Sequence, residues 1–141
     1  MTTIAYHHKS KTIAWDSRAT SNGVISCDEV QKMKEVKGVK FWLAGSVCDE
    51  DLIIDMYFGA KSDVVPESFG LAFDGDNAYL IGSSDDAVFW KQKLEYDKSV
   101  GSGGDFALSA MRLGLGAKDA VEHAKTLDVY TGGEVHEIKL D

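Results

Sequence analysis

The hydrophobic period switches late in this chain, and that switch limits the fold more than any other feature. Before Val100 the apolar residues mostly alternate, or form short runs bounded by Gly, Asn, Asp and Ser, as strands and tight turns do. Residues 2–8 read as a strand, with Ile4 and Tyr6 on one side and Ala5 on the other, and residues 11–16 as its returning partner. Asn22-Gly23 is a turn signal, and residues 33–37 and 40–45 flank Gly38 as a second hairpin. Strands follow at 69–73 and 78–81, joined through Asp74-Gly75-Asp76-Asn77, and another pair at 87–91 and 96–100. One helix interrupts the series at 49–58, where Leu52, Ile53, Met56 and Tyr57 share a face and acidic residues fill the first turn. After Val100 the period lengthens. Phe106, Ala107, Ala110, Met111 and Leu113 suit a helix ended by Gly114 and Gly116; Ala117, Ala120, Val121, Ala124 and Leu127 suit another; residues 134–140 close with a strand. Strands first, two helices late and one strand last predict an α+β fold with antiparallel sheets.

At 141 residues the chain suits one domain over 1–141, long enough to bury a core without disulfide staples. A net charge of −8 disfavours nonspecific nucleic-acid binding and anionic membrane surfaces. No apolar run approaches the roughly 20 residues of a membrane span, and the first residues lack the basic-then-apolar order of a secretion signal. Cys27 and Cys48 make neither a metal spacing nor a framework, and they read as packing residues in a reduced, cytoplasmic setting.

Thr2 stands directly behind Met1. Methionine aminopeptidase acts where the second side chain is small, so Thr2 is expected to become the N-terminus. An N-terminal Thr carries nucleophile and base in one residue, because its α-amine, with an ordinary pKa of about 7.7–8.0, can accept its hydroxyl proton. Most Met-Thr starts are only starts, but here other pieces follow in order: Thr2-Thr3-Ile4, Trp15-Asp16-Ser17-Arg18-Ala19-Thr20, Lys32, Leu43-Ala44-Gly45-Ser46, Gly101-Ser102-Gly103-Gly104 and Asp128-Val129-Tyr130-Thr131-Gly132-Gly133. Together they resemble proteasome β-subunits and the bacterial HslV peptidase, members of the N-terminal nucleophile (Ntn) hydrolases. The resemblance runs from Thr2 to about Leu140 and implies a four-layer αββα sandwich of two antiparallel sheets. It is to a shortened member, with 49–58 the one clear helix ahead of the Phe69 strand.

The resemblance also implies roles. Thr2 matches the nucleophile, Lys32 the active-site lysine and Asp16 the acid that pairs with it, sixteen positions away as in the family. A cation beside the hydroxyl favours the alkoxide, and a carboxylate holds that cation in place. Gly45 matches the backbone N–H that stabilises the oxyanion. Ser102, Asp128 and Thr131 match the group that orients the α-amine and relays its proton. The family usually has Ser where Thr131 stands, a change that keeps the hydroxyl. The implied activity is threonine-type hydrolysis of peptides or unfolded protein through an acyl ester, inside a homo-oligomer and with an ATPase regulator as a further family partner. No metal or organic cofactor is needed. A non-catalytic subunit and a small-molecule amidase are the alternatives.

Other features carry blander readings. Asp16 and Lys32 could form an ordinary surface pair, and 101–104 a phosphate-cradling loop, though it lacks the Lys-Ser/Thr of a P-loop. His7 and His8 alternate faces of a strand and do not readily share a metal. Asp74, Asp76 and Asn77 lack the Gly and Glu that complete a calcium loop and read as a hairpin turn. Trp42 and Trp90, with Tyr57 and Phe58, are expected at the surface, where they would drive self-association.

Overall fold

The computed structural model describes residues 2–140, so the expected removal of Met1 falls outside the described residues. They form two compact units: one runs up to Lys32 and resumes at Glu95, and the other spans Met33–Leu94.

The first unit holds a four-stranded antiparallel sheet, a two-stranded ribbon and two helices. Its sheet comprises β1 (Thr3–His7), β2 (Thr12–Trp15), β10 (Lys98–Gly101) and β11 (His136–Lys139), ordered β10-β1-β2-β11. Thr3 lies opposite Gly101, and Ile4 opposite both Val100 and Trp15. Thr3, Ile4, Ala5 and Tyr6 are buried on both faces of this central strand. Helices α2 (Gly104–Arg112) and α3 (Ala117–Lys125) lie on the Ala5–Ala14 side, through Ala107, Ala110, Met111, Ala120, Val121 and Ala124. Small side chains at most of these contacts let helix and sheet approach closely. Of the expected apolar stripe, Leu113 and Leu127 stay outside the helices and exposed.

The ribbon, β3 (Ala19–Ser21) with β4 (Val24–Cys27), is an excursion between Asp16 and Lys32. It turns at Asn22-Gly23, both at positive φ (52° and 77°), the pairing a type I′ hairpin turn requires. Its base is closed where Val30 N–H donates to Ser17 O at 2.9 Å.

The second unit holds a five-stranded antiparallel sheet in chain order: β5 (Met33–Val36), β6 (Val39–Gly45), β7 (Ser68–Phe73), β8 (Ala78–Ser83) and β9 (Phe89–Lys93). Helix α1 (Glu50–Tyr57) packs Ile53 and Ile54 among Phe41, Leu43, Ala72 and Ile81. Asp74 closes the β7–β8 turn as expected, its Oδ1 accepting from the N–H groups of Asp76 and Asn77.

Three expectations are corrected. The segments 87–91 and 96–100 do not pair with each other: β9 pairs with β8, and β10 with β1. No tight-turn dipeptide joins them, and Leu94 is buried and bonded to Ala78 O, so the chain passes there from one sheet to the other. Cys27 and Cys48 are free and exposed, one on strand β4, which is exposed along its whole length, and the other in a 3₁₀ turn before α1 that has no buried residue. Trp42 is fully buried, although alternation puts it on the face of β6 opposite Phe41 and Leu43; Trp90 remains 40% exposed.

Candidate active site

Four segments of the first unit converge where β1 begins. The carboxylate of Asp16, just beyond the end of β2, has no solvent exposure. Burying that charge is costly unless every lone pair finds a donor. Oδ1 accepts from Lys32 Nζ at 2.8 Å and from Thr3 N–H at 3.1 Å. Oδ2 accepts from Gly132 N–H at 3.0 Å and from Arg18 N–H at 3.4 Å. Asp16 and Lys32 are thus no ordinary surface pair: the Lys32 side chain is only 8% exposed. Burial pulls the Lys32 ammonium below its ordinary value, against the opposing pull of Asp16.

The second cluster centres on Asp128, in the turn after α3. Its Oδ2 accepts from Ser102 Oγ and from Thr131 Oγ1, each at 2.6 Å, and its Oδ1 from Tyr130 N–H at 3.1 Å. Burial raises this carboxyl, but the three donors outweigh it and leave it below the ordinary value. Ser102 is placed by the turn that leads from β10 into α2. Gly103 at the mouth of α2 leaves room for the cluster: a Cβ there would overlap Thr3 Oγ1 and lie 2.8 Å from Thr131 Oγ1.

The clusters are joined twice. Gly132 N–H reaches Asp16 from the Asp128 loop. Thr3 reaches both, its N–H on Asp16 and its Oγ1 2.6 Å from Thr131 Oγ1. Thr2, buried at 8% exposure, precedes it, with its carbonyl against Gly101 at a φ of +96°. A Cβ at Gly101 would overlap that carbonyl, so only glycine fits.

Six of the expected residues, Thr2, Asp16, Lys32, Ser102, Asp128 and Thr131, therefore lie in the first unit. Gly45, to which the resemblance assigns the oxyanion, closes β6 in the second unit at a φ of +90°, where a Cβ would overlap Glu67 O. Sequence reasoning gave no role to Thr3 or Arg18. The Arg18 guanidinium forks onto Asp28, at 2.8 Å and 3.1 Å, and donates to Val129 O at 3.0 Å, which ties the ribbon base to the Asp128 loop. Opposite charges bracketing the Asn-Gly turn were a readable signal for that pair. Thr3 lies in the first piece of the resemblance, but nothing there gives its side chain a role. Among the described residues, no three His, Cys, Asp or Glu side chains are grouped to hold a metal ion, and no helix is long and apolar enough to cross a membrane.

The fold is that of the proteasome-like Ntn hydrolases, α+β with antiparallel sheets. The chain is similar to the BPH protein of Thiobacillus denitrificans, with a TM-score of 0.73 at 16% identity, covering 99% of this chain and 98% of that one. A second BPH structure, in complex with epoxomicin, gives 0.72 at 16% identity over 99% of both chains. The eukaryotic HslV of Trypanosoma brucei gives 0.73 at 18% identity, over 96% of this chain and 97% of that one. No family model and no curated protein matches the sequence.

Proposed function

We propose that this chain is a threonine peptidase whose nucleophile is Thr2, freed by removal of Met1. The observation that carries the reading is the joining, within one proteasome-like fold, of a buried acid–lysine pair to a buried carboxylate with two hydroxyls, beside Thr2. Thr2 Oγ1 attacks the carbonyl carbon of a peptide, and Lys32, rather than the α-amine expected from the sequence, takes the hydroxyl proton in this first step, its proton affinity lowered by burial and its position held by Asp16. The tetrahedral adduct collapses as the C–N bond breaks and the leaving amine takes that proton. Water, giving a proton to the Thr2 α-amine that Ser102, Asp128 and Thr131 orient, then attacks the acyl ester; the ester C–O bond breaks, the acid leaves, and that proton passes to Thr2 Oγ1. The substrate is a peptide or unfolded protein, and the chain works as a homo-oligomer.

A peptide epoxyketone such as epoxomicin tests this reading, since it needs both the hydroxyl and the free α-amine of one residue. Intact mass should show natively expressed chain without Met1 and one inhibitor adduct, mapped to Thr2 and absent from Thr2→Ala. Retained Met1, or an adduct elsewhere, sinks the proposal.

A further inference from the structure

The amide between Thr2 and Thr3 is gripped from both sides. Its N–H, carried by Thr3, donates to Asp16 Oδ1, the oxygen that also holds Lys32. Its carbonyl, carried by Thr2, lies against Gly101, where no side chain fits. One carboxylate oxygen thus sets the lysine and the peptide plane behind Thr2 together.

The Thr3 hydroxyl has a direction that proton counting settles. Thr131 has one hydroxyl proton and spends it on Asp128 Oδ2 at 2.6 Å. The 2.6 Å contact between Thr3 Oγ1 and Thr131 Oγ1 is therefore donated by Thr3. The order runs Thr3 to Thr131 to Asp128, with Ser102 donating to the same carboxylate oxygen. Thr3 is fully buried in a central strand. Valine has the same shape, suits a strand as well and buries no polar atom. Packing alone gives no reason for a hydroxyl here.

We propose that Thr3 is a positioning residue: its N–H and its hydroxyl together hold the nucleophile's peptide between the Asp16–Lys32 pair and the Ser102–Asp128–Thr131 cluster. Its effect on turnover rests on the peptidase reading above; its effect on the cluster does not.

The test compares Thr3→Val, which keeps shape and loses the hydroxyl, with Thr3→Ser, which keeps the hydroxyl, in full chain with Thr2 verified as the N-terminus. Thr3→Val should lower kcat by about 10-fold, short of the roughly 100-fold that a 1 Å misplacement can cost, with KM within about twofold. Thr3→Ser should stay within about twofold of the parent in both. A second readout needs no turnover: the Asp128 carboxyl, followed by ¹³C NMR, should titrate at higher pH in Thr3→Val and as in the parent in Thr3→Ser. The groups acting on it are the hydroxyls of Ser102 and Thr131, the Tyr130 N–H, the charge of Lys32 and the N-terminal α-amine, which is common to parent and variants. If the parent hydrolyses no peptide, the peptidase reading fails and the titration alone decides on Thr3. An unmoved Asp128 in folded Thr3→Val, whatever kcat does, overturns the proposal, and so does an equal loss in Thr3→Ser. Should Thr3→Val not fold, Thr3→Ala takes its place; if that also fails to fold, the hydroxyl serves the core and the proposal is overturned.

Discussion

Replacing Lys32 separates a catalytic role from a structural one because the two have different magnitudes. In Lys32→Met the unbranched stem is retained and the charge is lost. Asp16 then remains wholly buried with three N–H donors, from Thr3, Gly132 and Arg18, where it had four partners. Breaking a buried ion pair costs about 3–5 kcal/mol, and the remaining donors put this case at the lower end, about 3 kcal/mol. For a chain of this size that is roughly a 10 °C fall in Tm, measurable by urea and thermal unfolding, and the variant still folds. The rate falls further: loss of the group that takes the Thr2 proton should lower kcat by at least about 100-fold on a fluorogenic peptide. Lys32→Arg should not restore the rate, because the guanidinium is planar, larger and does not release its proton. The stability difference should also depend on pH. Lys32 in the folded chain lies below its ordinary 10.5, so the unfolded chain binds more protons between the folded value and 10.5. Parent stability relative to Lys32→Met should therefore rise with pH through that window and level off above it. Near-parental kcat in folded Lys32→Met would remove lysine from the mechanism and with it the assignment of the pair.

Ser102→Ala should slow hydrolysis more mildly than Lys32→Met, since Asp128 keeps Thr131 and Tyr130 as donors; an equal or greater loss in the same assay would contradict this order. The Asp128 carboxyl lies below its ordinary 3.8 in the folded chain, so its contribution to stability is present above that value and is lost as pH falls through the folded value. Acid unfolding of Asp128→Asn should lack that part of the pH dependence, and an unchanged acid limb would refute it. Val24, Leu113, Val129 and Trp90 are exposed, and light scattering at micromolar concentration should show a homo-oligomer rather than a 15.4 kDa monomer.

What the sequence made legible followed local rules. Alternation placed β1 and β2, the Asn-Gly and Lys-Gly dipeptides placed two hairpin turns, and helical spacing placed the alanine faces of α2 and α3 on their sheet. The partners of β9 and β10 were not legible, because an edge strand takes whichever open edge the topology offers and its own residues do not say which. The fate of the cysteines was likewise set by their elements: neither β4 nor the 3₁₀ turn buries any of its residues. At the site, motif order pointed to Asp16, Lys32, Ser102, Asp128 and Thr131. It passed over Thr3 because a threonine in a strand is ordinary, and only its neighbours across the fold reveal where its N–H and hydroxyl go.

The order of burial at the site has a chemical consequence. Asp16 is fully sealed and keeps four donors, whereas Lys32 has some exposure and its charged form is weakened by burial. Three of those four donors are backbone N–H groups, so the hydrogen bonding of the buried carboxylate does not rest on the lysine alone. On the peptidase reading, Lys32 can then exchange its proton while its position stays fixed, which is what that reading asks of a base. Had the Asp16–Lys32 pair been isolated, loss of that proton would have left a bare carboxylate in the core, and the pair would have resisted the transfer that the reading requires. On that reading the backbone donors of Thr3, Gly132 and Arg18 are what separates a working base from a structural lock.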